Sequence, residues 1–471
     1  MLNTKIFNLI KKRWYATAGY SEFFKIAFPL IVSIGGWALQ TFMDRLFLSH
    51  YSSAAYAAAV PAGLLNCSIM DIFIGTVSYI DIFISQYNGK KEFKLIGPSV
   101  WQSIYLSLFS SFIILAISFF SENIFNFIGH SQDVIYEEIK YFRVLCYGAF
   151  PYLAGSAMAG FYSGRGKTKI ILIVNLVSII ANTILDYLLI FGKFGFPELG
   201  IEGAAIATII SSIIMFAMFL LFITSKKNDA LFDTRKAKLD FKFIKHLIKF
   251  GFPNGIHFFF DIFIFAFFTL AVGTLGKLEL LATSITMNIY NLFYMPISGC
   301  GVTTAIMVGN YLGKNKTRIA QASVQTALHV TFVYVFLMVF LYIFVPDILI
   351  YPFSKDSEYL NTEQIRPTII ILLRFITVFA FFESASIIYS SAIKGAGDTS
   401  FVMKLLITLF IVTAIPMCLL VVFKAGLYAC WSVLVIYGIM LMVFSYLRYK
   451  TNKWKHMRVI ETNITDKYKI G

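Results

Sequence analysis

Residues 75–90 of the chain read GTVSYIDIFISQYNGK, and residues 299–314 read GCGVTTAIMVGNYLGK. The two stretches are 224 positions apart, and the same displacement relates Phe28-Pro29 to Phe252-Pro253. A repeat this long exceeds the roughly 20 to 50 residues of a solenoid unit, so it indicates a duplicated half-protein. In an apolar chain, two similar helical bundles favour a transporter with its site between them.

The composition indicates an integral membrane protein. The chain is 58% hydrophobic and only 14% charged, whereas soluble domains average roughly 25% charged residues. Uncharged stretches such as 97–121 and 426–447 match the roughly 20 residues that cross a bilayer as a helix. Lipid cannot satisfy the backbone of an open strand, so the spans must be helical. We predict about twelve of them, the fourth centred near residue 148.

The net charge of +15 follows a pattern along the chain. Lys and Arg concentrate in every second loop, which predicts an even number of spans and two cytoplasmic termini. Nucleic-acid binding is not expected, because the chain contains no module of the usual kinds. The predicted segments are a cytoplasmic amino-terminal segment 1–19, an N-lobe 20–225 of six helices, a cytoplasmic basic linker 226–242, a C-lobe 243–447 of six helices and a cytoplasmic basic tail 448–471.

The motifs of soluble enzymes are missing from the sequence. It holds no P-loop, no HExxH and no CxxC pair, and its five cysteines stand in apolar stretches. We therefore expect no enzyme and no resident cofactor. ATP hydrolysis by this chain is not expected either, so the energy for transport must come from elsewhere.

The acids inside the predicted spans are the candidate functional residues. A carboxylate at membrane depth costs about 2.5 to 3.5 kcal/mol on insertion scales, so it usually faces the bundle interior and marks an ion or proton pathway. The alternative is an acid near a helix end that reaches water, or an acid neutralised by a buried arginine such as Arg45, Arg143 or Arg374. For Asp71 and Asp81 this alternative has equal weight, and we keep them as secondary candidates. The acids are Asp44, Asp71, Asp81, Asp186, Asp261 and Glu383.

One group of these residues is suited to a cation. Asp186 follows Asn182 by four residues, so the two side chains share a helical face. The next predicted helix adds the hydroxyl of Thr208, and Asp44 of the first span could complete the set. Such hard oxygen ligands suit Na⁺ and equally suit a proton held between two carboxylates. The simpler alternative is that Asn182 only hydrogen-bonds Asp186 across one turn.

At these residues the sequence resembles the MATE family, the multidrug and toxic compound extrusion transporters, and most closely its NorM-like branch. The resemblance covers roughly residues 20–445. The segments that carry it are MDRLFLSHYSSAAYAAAV, NLVSIIANTILDYLLIFGKFGFPELGIEGAAIAT, GFPNGIHFFFD, MPISGCGVTTAIMVGNYLGK and AIKGAGDTS. It implies an all-α fold of twelve transmembrane helices in two six-helix lobes related by a pseudo-twofold.

The resemblance also implies roles for individual residues. The family's N-lobe cation site matches Asp44, Asn182, Asp186 and Thr208, and the C-lobe acids of the NorM-like branch match Asp261 and Glu383. Asp261 replaces the usual Glu and Glu383 the usual Asp, so the charge is kept. Because both lobes hold acids, the lobe that carries the coupling ion stays open.

The implied function is a secondary active antiporter that exports organic cations in exchange for Na⁺ or H⁺. The alternative is a lipid-linked oligosaccharide flippase of the related superfamily, which would need a strongly cationic cavity, whereas the charges within the spans are mainly acidic. We expect a multi-pass monomer in the cell membrane, in contact with lipids and small organic cations.

Overall fold

A computed structural model describes residues 11–354 and 365–460. Residues 1–10 of the predicted amino-terminal segment and 461–471 of the predicted tail lie outside this part. The first ten helices are α1 Tyr20–Tyr51, α2 Ser53–Ser78, α3 Ile80–Lys90, α4 Ile96–Ser118, α5 Ser121–Ile128, α6 Gln132–Tyr147, α7 Ala149–Ser163, α8 Thr168–Phe191, α9 Ile201–Ile223 and α10 Lys226–Phe232. They are followed by α11 Phe241–Gly273, α12 Lys277–Gly313, α13 Thr317–Phe344, α14 Pro346–Ser354, α15 Ile365–Ala396, α16 Thr399–Val422 and α17 Leu427–Lys450.

The prediction of an all-α membrane fold is confirmed. Among the described residues, 11 helical stretches are long and apolar enough to cross a membrane, with α2 and α3 counted as one. Helices α6 and α7 are long and apolar enough only when taken together, and the pair bends by 48°, so the number of spans among these residues is twelve if this pair counts as one. Its break is at Gly148, the centre of the predicted fourth span. A Cβ at this glycine would lie 2.7 Å from Ile209 Cγ1 of α9, so only glycine allows this close contact.

The packing of the chain divides it into two units, which we name the N-unit and the C-unit. The N-unit contains Phe28–Phe259, Gly309–Asn315 and residues 458–460. The C-unit contains residues 11–27, Phe260–Val308 and the described part of Lys316–Met457. The division passes through α1, α11 and α12. The predicted lobe boundaries concern the order of the membrane spans, and they stay predictions.

In the N-unit, α8 and α9 are held side by side by the loop between them. Gly192, at φ +62°, ends α8 in a left-handed conformation that glycine adopts without strain. Leu199 N then donates to Leu189 O at 2.9 Å, so the loop returns along the end of α8. A Cβ at Gly203 would lie 2.6 Å from Leu189 O. The close approach brings the first turns of α9 against α8 and sets the position of Thr208.

The basic linker after α10 lies along α4 of the same unit. A Cβ at Gly97, near the start of α4, would lie 2.3 Å from Phe232 O, so this glycine leaves room for the linker backbone. Three side chains of α4 then donate to main-chain oxygens of the linker: Trp101 Nε1 to Thr234 O at 2.7 Å, Gln102 Nε2 to Lys238 O at 2.8 Å and Tyr105 Oη to Ala237 O at 2.5 Å. The linker is thus a docked strap as well as a source of positive charge.

Asp233 fixes the beginning of this strap. Its carboxylate accepts from Lys94 Nζ at 2.7 Å and from Lys236 Nζ at 2.5 Å. Burial alone would raise the pKa of Asp233, but the two lysines more than offset this and hold the pKa below its ordinary value.

The core of the C-unit is aromatic. Helix α15 packs along α17 and α13, and Trp431 of α17 is fully buried in the centre of the cluster. Its ring meets Phe268 edge-on, with centroids 5.3 Å apart. Its Nε1 donates to Thr283 Oγ1 at 3.2 Å, which satisfies the one polar group that this side chain buries. This core supports the face of α15 that carries Glu383.

Candidate functional site

Two acids of the N-unit, Asp44 of α1 and Asp186 of α8, lie together. Asp186 is 0% exposed, and Asp44 is half-buried. Their carboxylates are within hydrogen-bonding distance of each other. The Oδ1 atom of Asp186 is buried and makes no hydrogen bond to any group that the structure describes. An ionised oxygen in this position needs a cation or a proton.

The side-chain amide of Asn182 bridges the two carboxylates. Asn182 is also 0% exposed. One end of its amide lies 3.1 Å from Asp44 Oδ1 and 3.2 Å from Asp186 Oδ2. The other end lies 3.5 Å from Thr208 Oγ1 of α9. The amide can turn its oxygen or its nitrogen to the acids, because the two ends have nearly the same shape.

The two orientations of this amide have different chemistry. With the nitrogen toward the acids, Asn182 donates to both carboxylates and stabilises them as anions. With the oxygen toward them, three side-chain oxygens converge and only a cation or a proton can hold them together. The residues present therefore fit either Na⁺ or H⁺ as an exchangeable ion.

Sequence reasoning missed two residues around this pair. Tyr141 of α6 is 7% exposed, and its hydroxyl interacts electrostatically with both Asp44 and Asp186. Gln40 of α1 has one amide atom 3.3 Å from the Asn182 amide. Gln40 precedes Asp44 by four residues, the same spacing as Asn182 and Asp186, so this signal was present in the sequence.

The two acids of the C-unit form a second group. Glu383 of α15 is 6% exposed, and its buried Oε2 makes no hydrogen bond within the described structure. It interacts electrostatically with Asp261 of α11, which in turn interacts with Lys394. Tyr437 of α17 is close enough to interact with both acids. Lys394, in the last turn of α15, is therefore a base whose charge reaches this group.

The other intraspan bases have different partners. Arg143 donates to Ser121 Oγ and Glu122 Oε1, each at 2.8 Å, and Arg374 is exposed. Arg45 is exposed too, although its charge reaches the neighbouring Asp44.

The secondary candidates Asp71 and Asp81 are half-buried and have partners of their own. Asp71 lies in α2, where it interacts with Cys67 and Tyr152. Asp81 is in the first turn of α3, and α7 packs closely on its backbone.

A family model with the description MatE matches residues 29–188 and 253–420. The chain belongs to the MatE family. The two matches begin 224 residues apart, at Pro29 and Pro253, which is the displacement of the internal repeat. The resemblance stated from the sequence is thus confirmed, and the chain is a multi-pass membrane protein of this family.

Curated relatives in the MatE family include multidrug resistance proteins. The chain is 25% identical over 452 residues to the probable multidrug resistance protein NorM of Thermotoga maritima, covering 93% of this chain and 94% of that protein. It is 26% identical over 311 residues to the multidrug resistance protein NorM of Vibrio cholerae, covering 65% of this chain and 68% of that protein.

Solved structures share the MatE fold. A MOP superfamily transporter from Pyrococcus furiosus matches with a TM-score of 0.83 at 19% identity, over 94% of this chain and 97% of that one. The outward-facing form of a multidrug resistance MATE family transporter matches with a TM-score of 0.81 at 20% identity, over 92% and 96%.

Proposed function

We propose that this protein is a secondary active antiporter that exports organic cations in exchange for Na⁺ or H⁺. The observation that carries this is the pair Asp44 and Asp186, joined by the Asn182 amide and with a buried carboxylate oxygen left without a hydrogen bond. Membership of the MatE family and the multidrug resistance names of its relatives support the export of drugs. They also support alternating access as the mechanism.

The coupling ion binds in the N-unit between Asp44, Asp186, the Asn182 amide and the Thr208 hydroxyl. An ion can drive transport only if it binds one conformation more tightly than the other. A ligand set drawn from α1, α8 and α9 meets this condition, because a shift of any one helix changes the distances between the oxygens.

The C-unit acids form a second cation site of different character. Lys394 balances one of the two charges of Asp261 and Glu383, so this site needs only one further positive charge. An organic cation supplies that charge, and the surrounding tyrosine rings add cation–π attraction. The C-unit site therefore contributes to substrate binding as well as to ion coupling.

The location of the protein follows from its charges. Lys and Arg alternate between loops, which supports a location in the cell membrane with both termini in the cytoplasm. We propose that the protein acts there as a monomer. A reporter enzyme fused to the carboxyl terminus tests this, since activity confined to the extracytoplasmic side would contradict it.

The central test is gradient-driven efflux in proteoliposomes. Ethidium movement is followed after imposing a Na⁺ gradient or a pH gradient, with the wild type, Asp44→Asn and Asp186→Asn. We expect both variants to lose efflux. Each should still show a cooperative thermal unfolding transition, which demonstrates that it is folded. Glu122→Gln is the matched control, because it removes a carboxylate that is exposed and paired with Arg143.

Wild-type efflux in both variants would show that these acids do not couple transport. A wild-type protein that moves no organic cation but translocates a lipid-linked oligosaccharide would instead favour the flippase alternative.

A further inference from the structure

The amides of Gln40 and Asn182 lie next to each other, with one atom of each 3.3 Å apart. Two carboxamides can hydrogen-bond only when one presents N–H and the other presents oxygen. The orientations of the two side chains are therefore linked. If Gln40 presents its nitrogen, Asn182 must present its oxygen, and that oxygen then also faces Asp44 and Asp186.

Gln40 matters most for one of the two orientations. With its nitrogen toward the acids, Asn182 has two protons and two carboxylate acceptors, so it needs nothing from Gln40. With its oxygen toward the acids, every close neighbour at that end is a carboxylate oxygen except Gln40. The N–H of Gln40 is then the donor that stabilises this orientation.

The orientation favoured by Gln40 serves Na⁺ better than H⁺. A proton needs only the two carboxylates, which already lie within hydrogen-bonding distance of each other. A Na⁺ ion must replace its water shell with several oxygens, and an amide oxygen turned into the gap supplies one more.

We infer that Gln40 is a positioning residue that turns the Asn182 oxygen toward Asp44 and Asp186 and thereby favours Na⁺ at this site. The inference rests on the proposed function, since it assigns the coupling ion of the same site. Gln40 acts through Asn182, and its loss leaves both acids in place.

The experiment measures Na⁺ binding without transport. The thermal unfolding midpoint of the purified protein in detergent is recorded across a Na⁺ titration, with K⁺ as the replacing ion to keep the ionic strength constant. The dependence of the midpoint on Na⁺ concentration gives an apparent dissociation constant. We expect Gln40→Met, of similar size and without a donor, to raise this constant about tenfold, the usual effect of one lost hydrogen bond. Thr41→Val is the control, because its hydroxyl bonds only within α1, to Trp37 O.

Two further comparisons make the result decisive. In an Asn182→Ala background, Gln40→Met should cause no additional change, because the group that Gln40 positions is gone. The pH profile of efflux driven by a pH gradient should be the same in Gln40→Met as in the wild type, since proton binding does not use the amide oxygen.

The inference is overturned if Gln40→Met binds Na⁺ like the wild type, if its effect is undiminished in the Asn182→Ala background, or if the wild type shows no Na⁺ response. Failure of the proposed function has a different signature. In that case Asp44→Asn and Asp186→Asn would keep both the Na⁺ response and the efflux of the wild type.

Discussion

The N-unit and the C-unit each hold two acids, but they balance the charges differently. In the N-unit, Asp44 and Asp186 share the neutral amide of Asn182, and the charge of the exposed Arg45 reaches Asp44 from solvent. In the C-unit, Lys394 interacts with Asp261. We propose that the N-unit pair becomes neutral by taking up a cation, whereas in the C-unit the half-buried Lys394 compensates part of the charge of Asp261. On the proposed function, the N-unit pair is the exchange site and the C-unit pair is the compensated site.

The largest expected effect separates the two sites directly. Asp186→Asn should reduce efflux driven by either gradient to background, because it removes one of the two negative charges that bind the coupling ion. Glu383→Gln should keep a measurable rate, since Lys394 and Asp261 remain as a pair. Initial rates of ethidium efflux in proteoliposomes at matched protein content give the comparison. Equal loss in both variants would mean that the two sites are not distinct in function.

The next effect concerns the base of the C-unit. Lys394→Gln should lower the efflux rate about tenfold, because it leaves Asp261 without its compensating charge in a buried site. Adding Asp261→Asn should recover part of the rate, since the double variant restores neutrality. The coupling between the two changes is measured with a double-mutant cycle. Simple additivity of the two losses would indicate that Lys394 and Asp261 act independently.

A smaller effect is expected where α9 approaches α8. Gly203→Ala would place a Cβ 2.6 Å from Leu189 O and should cost about 1–3 kcal/mol of stability, as overpacking usually does. Since α9 carries Thr208, the Na⁺ affinity should fall as well. Thermal unfolding in detergent measures the loss of stability, and Na⁺ titration measures the loss of Na⁺ affinity. Gly35→Ala is the matched control, because nothing lies within 4 Å of its added Cβ, and a similar loss there would point to a general effect of the substitution.

The smallest effect is expected at Thr208. Its hydroxyl already donates to Ala204 O at 3.1 Å, and it lies 3.5 Å from the Asn182 amide, which makes it the weakest ligand of the set. Thr208→Val should raise the apparent Na⁺ dissociation constant roughly threefold, less than one full hydrogen bond, whereas Thr208→Ser should match the wild type. A tenfold loss in Thr208→Val would make the hydroxyl a principal ligand.

Much of this fold could be read from the sequence. Long uncharged stretches define the spans because a bilayer imposes a minimum length on a helix, and the repeat at 224 positions shows the duplication directly. The acids were found for a similar reason, since a carboxylate within a span such as Asp186 is conspicuous against its apolar neighbours. These features depend on which residues are neighbours in the chain, so a single sequence is enough to show them.

The features that were missed depend on contacts between helices. The bend at Gly148 arises where α9 comes close enough to exclude a Cβ, and no residue near 148 reveals that neighbour. Lys394 lies in the last turn of α15, and the sequence does not reveal that its charge reaches Asp261 on α11. Tyr141 is one of 26 tyrosines, and only the packing of α6 distinguishes it.

The docked linker has a consequence for how the protein is made. Trp101, Gln102 and Tyr105, which hold the strap, precede it in the chain by about 130 positions. Their helix is therefore already synthesised when residues 234–240 leave the ribosome. The strap can bind at once to the half of the molecule that precedes it, before the ribosome has translated the second copy of the repeat. The first copy of the repeat can therefore complete its contacts with the linker while the second is still being made.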